Sequence, residues 1–167
     1  SDWDGNYWSE FPKRIREANI FLREAHALPS QGISTTEIEY MKAECRFYKA
    51  YYYYLLANTY GGVPFKPDYI APTDFTLSDL LVGQRPYTEI IDWCDKELLA
   101  VSKLLPAKYT EARKYGRVTS IMCLAVRARM LLFAASPLVN GNADYANFKN
   151  ADGENIFAPT YDATKWK

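Results

Sequence analysis

The chain has 167 residues and a mass of 19.2 kDa, enough to bury a core within one domain. Twenty lysine and arginine residues balance twenty aspartate and glutamate residues, so no charge excess directs the chain to nucleic acid or to an anionic membrane surface. The outlier is the aromatic share, 16% with 14 tyrosines, which suits a thick helical core as well as contact with sugars or proteins.

In chain order, residues 1–11 (SDWDGNYWSEF) read as a polar-aromatic loop. Pro12 then opens a first helix, at the position where a missing amide proton costs least. This helix continues to about Leu28, with Ile15, Asn19, Leu22 and His26 on one inner face. Pro29 to Ile33 form a short turn, and short connections favour antiparallel neighbours.

The second helix is the centre of the chain. Ser34-Thr35-Thr36-Glu37 fits a capping box, in which Ser34 accepts from the Glu37 amide and the Glu37 side chain reaches back to the Ser34 amide. Gly61-Gly62 and then Pro64 end the helix, with a left-handed cap expected at the glycines. About seven turns lie between, roughly 40 Å. Ile38, Met41, Cys45, Tyr48, Tyr52, Leu55 and Thr59 form one stripe, and Phe47, Tyr51 and Tyr54 another. Ala43, Ala50 and Ala57 recur every seven residues and leave a groove for a neighbouring backbone. A helix apolar on several sides has neighbours on several sides. Glu39, Lys42, Glu44, Arg46 and Lys49 break the run too often for a membrane span.

Residues 66–86 are irregular and carry Pro67, Pro72 and Pro86. A third helix runs from about Pro86 to Leu105, with Tyr87, Ile90, Ile91, Cys94, Leu98, Val101 and Leu105 inside. After a loop over 107–118, Thr119 caps a fourth helix that ends at Ser136-Pro137. Its core spacing selects Ile121, Leu124, Ala125, Ala128, Leu131, Leu132 and Ala135. The rest, to Lys167, reads as polar loop.

Reactive constellations are missing from this pattern. His26 stands alone and reads as a packed or hydrogen-bonded side chain. Asp92, Asp95 and Glu97 share one helix and read as a solvated face, whereas acid–base work needs carboxyls in different environments across a cleft. Gly61-Gly62 follows a helix and lacks a phosphate-loop pattern. Cys45, Cys94 and Cys123 have no metal-type spacing and read as small buried hydrophobes, with one inter-helix bridge left open. No EF-hand pattern occurs. Arg127 and Arg129 lie along an apolar helix with their charges in water, Arg129 as a structural hydrogen-bonder.

Several motifs carry a resemblance. Ala43-Glu44-Cys45-Arg46-Phe47-Tyr48-Lys49-Ala50-Tyr51-Tyr52-Tyr53, followed by Tyr60-Gly61-Gly62-Val63-Pro64, resembles the SusD/RagB family, in which a helix of the type EARFLRAYYY ends in YGGVP. Ile15 to Leu22 is similar to the I-x-x-A-N-x-x-L of the family's first helix, and Trp8 stands where a tryptophan-bearing segment precedes it. Pro12 departs from the aromatic usual there. Tyr115-Gly116-Arg117-Val118-Thr119 and Ala134 to Gly141 resemble YGRAT and AASPLFNG, in the same order and spacing.

The resemblance implies an all-α, tetratricopeptide-like helical repeat of antiparallel pairs with long loops, although no 34-residue period shows in the letters. It implies that residues 1–167 are a single helical domain from the N-terminal part of a longer protein. That protein would be a lipid-anchored nutrient-binding protein of the outer-membrane surface, its signal and lipid-bearing cysteine upstream. Such proteins capture glycans or peptides and pass oligosaccharide to a SusC-like TonB-dependent transporter, with no turnover and no cofactor; calcium is occasionally structural in them, and no metal-binding residue is selected in this chain. Their glycan-contacting aromatics lie near the tryptophan segment, which selects Trp3, Asn6, Tyr7 and Trp8; Tyr69, Phe75 and Tyr109 are secondary loop candidates. Trp8 has a second reading as the anchor of the first helix to the core. The alternative function is a helical scaffold whose aromatic surface docks a protein.

Overall fold

The computed structural model describes residues 7–72, 74, 76 and 82–166. Among these, four α-helices follow one another: α1 (Tyr7–Glu24), α2 (Thr35–Tyr60), α3 (Tyr87–Ser102) and α4 (Ser120–Ala135). A two-residue antiparallel ladder joins β1 (Val63–Pro64) to β2 (Gln84–Arg85) across the base of the α2–α3 connection.

Each helix packs chiefly on its predecessor, α1 on α2, α2 on α3 and α3 on α4. The contacts run in opposite directions along each pair. Phe11 meets Tyr52 while Cys45 donates to the Ala18 carbonyl. Tyr53 meets Trp93 while Arg46 meets Glu97. Asp95 meets Arg127 while Ile91 and Leu131 line one crevice. The result is a stack of antiparallel helices of the tetratricopeptide kind.

The centre of the stack is the face of α2 that carries Ala43, Phe47, Ala50, Tyr54 and Ala57. Small side chains let α3 come close, and Cys94 of α3 donates from Sγ to the Ala50 carbonyl at 3.4 Å. Phe47 is fully buried, which contributes roughly 1.5–3 kcal/mol. The stripe from Ile38 to Thr59, one of the apolar stripes read from the sequence, is half-buried, and Tyr48 and Thr59 are exposed. The alanine groove won because helices settle where backbones approach most closely.

The caps follow the expectation in part. Ser34 Oγ accepts from the Glu37 amide at 3.1 Å, but the Glu37 carboxylate turns to Arg117 and Lys114 across the fold. Full charges outcompete a backbone amide for it. Thr119 Oγ1 accepts from the Met122 amide, as a cap should. Gly61 ends α2 with φ 75° and ψ −115°, a region open to glycine and not the left-handed helical cap.

Four expectations are corrected. First, α1 begins at Tyr7, so Pro12 lies inside it, and it ends at Glu24. Phe11, stacked between Tyr7 (4.5 Å) and Tyr52 (4.7 Å), holds the turn that Pro12 deprives of a hydrogen bond. Leu28 bridges Ile33 instead of continuing the helix, and His26 is exposed, its Nδ1 3.0 Å from the Glu24 carbonyl. Second, Ile121, Leu124, Ala125, Ala128 and Leu132 of α4 are exposed, because α3 takes the opposite face through Cys123, Met130 and Ala134. Third, the tail is not simply polar loop: Ile156 is fully buried, and its carbonyl accepts from the Tyr87 amide at 2.8 Å. Fourth, Asp95 and Glu97 are not a solvated face but pair with Arg127 and Arg46 on the flanking helices, leaving Asp92 exposed. Arg127 of α4 is thus bonded to a carboxylate, not left with its charge in water.

The seven inner positions expected of the third helix region, Tyr87 to Leu105, are all buried. The three cysteines are free thiols.

Candidate ligand-binding site

A cavity of about 430 Å³ opens at the base of the α1–α2 pair. Trp8, Pro12 and Ile15 line it from α1, Tyr53 and Leu56 from α2, and Val63 and Pro64 from β1. The loop after β1 closes the other side with Lys66, Tyr69 and Ala71. The walls are apolar, and among the described residues Arg16 and Lys66 are the charged side chains in the lining.

Helix and turn chemistry place the two aromatics at its edge. Trp8 projects from the first turn of α1, 50% exposed, with its ring edge-on to Tyr60 at 5.3 Å. Tyr69 follows a tight turn, Lys66-Pro67-Asp68-Tyr69, closed by the Tyr69 amide donating to the Lys66 carbonyl at 3.2 Å. Pro67 presets the second turn position. Tyr69 is 38% exposed, and the Lys66 ammonium lies 4.9 Å from its ring centroid.

Behind the cavity, Tyr53, Phe65 and Trp93 contact one another edge-to-face, with centroids 5.0, 5.7 and 5.6 Å apart. Burial pushes the Tyr53 hydroxyl well above its ordinary pKa, against a hydrogen bond from the Lys66 backbone that acts the other way. The Tyr53 hydroxyl therefore stays neutral, and the exposed Arg16 and Lys66 side chains sit at the rim.

Of the residues selected from the sequence, Trp8 and Tyr69 come together on this cavity, although they are 61 positions apart. Tyr7 does not join them. It stacks on Phe11, on the side of α1 that faces Tyr52. Trp3, Asn6 and Phe75 lie outside the described residues. Tyr109 belongs elsewhere, near the other end of α2, where its hydroxyl donates to Glu44 at 3.3 Å beneath the Arg117 guanidinium. Burial first, and then the Glu44 carboxylate, push that hydroxyl up to about 12.

Sequence reasoning missed Arg16, Tyr53, Tyr60 and Lys66. It also gave Lys49 no role beyond a break in an apolar run and a letter of a motif, whereas the side chain is buried beside Trp93. The Pro67-Asp68 turn signal was the available pointer to an ordered loop at Tyr69.

Among the described residues, no group of three or more metal-ligating side chains converges, and no helix is long and apolar enough to cross a membrane.

Stacked antiparallel helices with an aromatic-edged cavity at one end define a tetratricopeptide-like helical scaffold. A family described as SusD-like, starch-binding and associating with the outer membrane matches residues 1–132. The chain belongs to this SusD-like family, whose members are binding proteins and not enzymes. The solved structure named BT4246 is 34% identical over 95% of this chain, with a TM-score of 0.82. A SusD-like carbohydrate-binding protein from Bacteroides fragilis NCTC 9343 is 27% identical over 78% of the chain, with a TM-score of 0.62. Surface glycan-binding protein A from Bacteroides uniformis shares the fold, with a TM-score of 0.61 at 23% identity over 80% of the chain. The chain spans about a quarter of the length of these structures: 27%, 24% and 29%. No curated protein matches it.

Proposed function

We propose that the chain is the helical, ligand-contacting part of a longer cell-surface protein that captures oligosaccharide. In this reading the protein is lipid-anchored at the outer membrane and hands its ligand to a SusC-like TonB-dependent transporter. The observation that carries the reading is the convergence of Trp8 and Tyr69 on one apolar cavity with a polar rim. A sugar ring has an apolar C–H face and a belt of hydroxyls. Flat aromatics suit the face, while Arg16, Lys66 and the Tyr69 hydroxyl suit the belt, the division of labour general to small-molecule sites. Family membership supports the ligand class. Trp3 and Asn6, chosen from the sequence, remain part of the proposal as candidate ligand contacts.

Affinity electrophoresis of the intact protein across neutral and acidic polysaccharides tests this reading. Trp8→Ala and Tyr69→Ala should each weaken retention about tenfold or more on whichever glycan retards the parent. Retardation equal to the parent's in both variants would remove the site assignment.

A further inference from the structure

Two of the recognisable sequence signatures meet at one atom. Lys49, two residues before the four consecutive tyrosines of α2, places Nζ 3.2 Å from Asn19 Oδ1 of α1 and 2.7 Å from Asp68 Oδ1 of the loop after β1. The Lys49 side chain is 3% exposed and that of Asp68 is 82% exposed. Trp93 covers another side of the ammonium, with its ring centroid 5.6 Å away. Asn19 in turn donates from Nδ2 to the Tyr69 carbonyl at 3.1 Å. The two partners of Lys49 therefore lead to adjoining residues, Asp68 and Tyr69, at the end of one tight turn.

A buried ammonium persists only where hydrogen bonds and a counter-charge compensate its lost hydration. The core does not need it, since methionine would fill similar space without that cost. Its carboxylate partner is nearly all in water, so the pair adds little to the packing of α2. What the pair does is fasten a loop to a helix. Surface loops are mobile unless tied to the scaffold, and a site wall held in place binds without first being ordered.

We infer that Lys49 is a positioning residue: through Asp68 and Asn19 it fixes the Tyr69 wall of the cavity. Its consequence for binding rests on the reading of the cavity as an oligosaccharide site, but its effect on the loop does not.

Hydrogen exchange on the intact protein reads residues 66–71 separately from α2 and α3. Asp68→Asn changes an exposed side chain and leaves the core intact, Asp68→Glu is the conservative control, and Lys49→Met removes the ammonium itself. The expected result in Asp68→Asn is exchange about tenfold or more faster at Tyr69 and its neighbours, with α2 and α3 at parental rates. Asp68→Glu should restore protection, and glycan retention should fall in Asp68→Asn as it does in Tyr69→Ala. Parental exchange at 66–71 in Asp68→Asn overturns the inference whether or not Lys49→Met folds. Faster exchange with parental retention, where Tyr69→Ala loses it, also overturns it. If the parent retains no glycan, the oligosaccharide reading fails, and the exchange rates alone decide whether the tether exists.

Discussion

At the scale of single residues, backbone geometry sets the strictest demands. Gly141, just after α4, has φ 78°, and a Cβ there would stand 2.3 Å from the Tyr161 backbone nitrogen. The left-handed region alone costs an L-residue about 1–2 kcal/mol, and the neighbour is main chain that cannot swing aside. Gly141→Ala should therefore destabilise the protein by about 2 kcal/mol or more. Gly83→Ala, whose new Cβ would meet nothing nearer than 3.8 Å among the described residues, should be close to neutral. Urea midpoints of the two variants decide this, and equal midpoints would contradict the assigned geometry. The same tail contact explains why residues near Tyr161 are ordered despite their polar composition: Asn140, almost fully buried, donates to the Asp162 carbonyl and accepts from the Asp162 amide.

At the scale of elements, the decisive feature is the alanine row of α2. Ala50 is fully buried, and its carbonyl lies within reach of Cys94 Sγ. A larger side chain would push α3 away and strain both helices. Ala50→Leu should cost about 1–3 kcal/mol, the usual range for overpacking. Ala125→Leu, on the exposed face of α4, should shift stability by less than about 0.5 kcal/mol. Thermal unfolding of the pair measures the difference, and a mild effect at Ala50 would mean that the two backbones are not in close contact. The open face of α4, with Ile121, Leu124 and Leu132 in solvent, follows from the same principle: among the described residues α3 packs against the opposite face, and α2 and the short turn Ala163–Trp166 add only smaller contacts.

At the scale of the whole molecule, charges tie the far end of the stack. Arg117, in the α3–α4 connection, donates from Nε to Glu44 at 2.7 Å and from Nη1 to Glu37, while Lys114 reaches Glu37 at 3.3 Å. The Arg117 hydrogen bond, foremost, and then that of Lys114 hold the Glu37 carboxyl below its ordinary value of 4.5, against partial burial. A carboxylate whose pKa is depressed by folding adds stability that is complete above the unfolded value. That stability is lost as pH falls through the lower folded value. The melting temperature of the parent should thus fall more steeply below pH 4.5 than that of Glu37→Gln. Parallel slopes would show that this clamp does not tune acid stability.

The four helices of the described residues and their order, the Ser34 and Thr119 caps and the seven inner positions from Tyr87 to Leu105 were legible from the letters. Periodicity and capping are local: each reports the environment of one helix within a few turns, and α3, covered on two sides, matches its own pattern. The tertiary structure alone decided which stripe of α2 lies deepest, that α4 keeps an apolar face in water, and that Glu37 serves Arg117 instead of its own cap. It also decided that Trp8 and Tyr69 share a cavity and that Lys49 is buried. These depend on which neighbour arrives, over separations of 19 to 80 residues in the case of Lys49–Asp68 and Arg117–Glu37, and a helical repeat period carries no record of that choice.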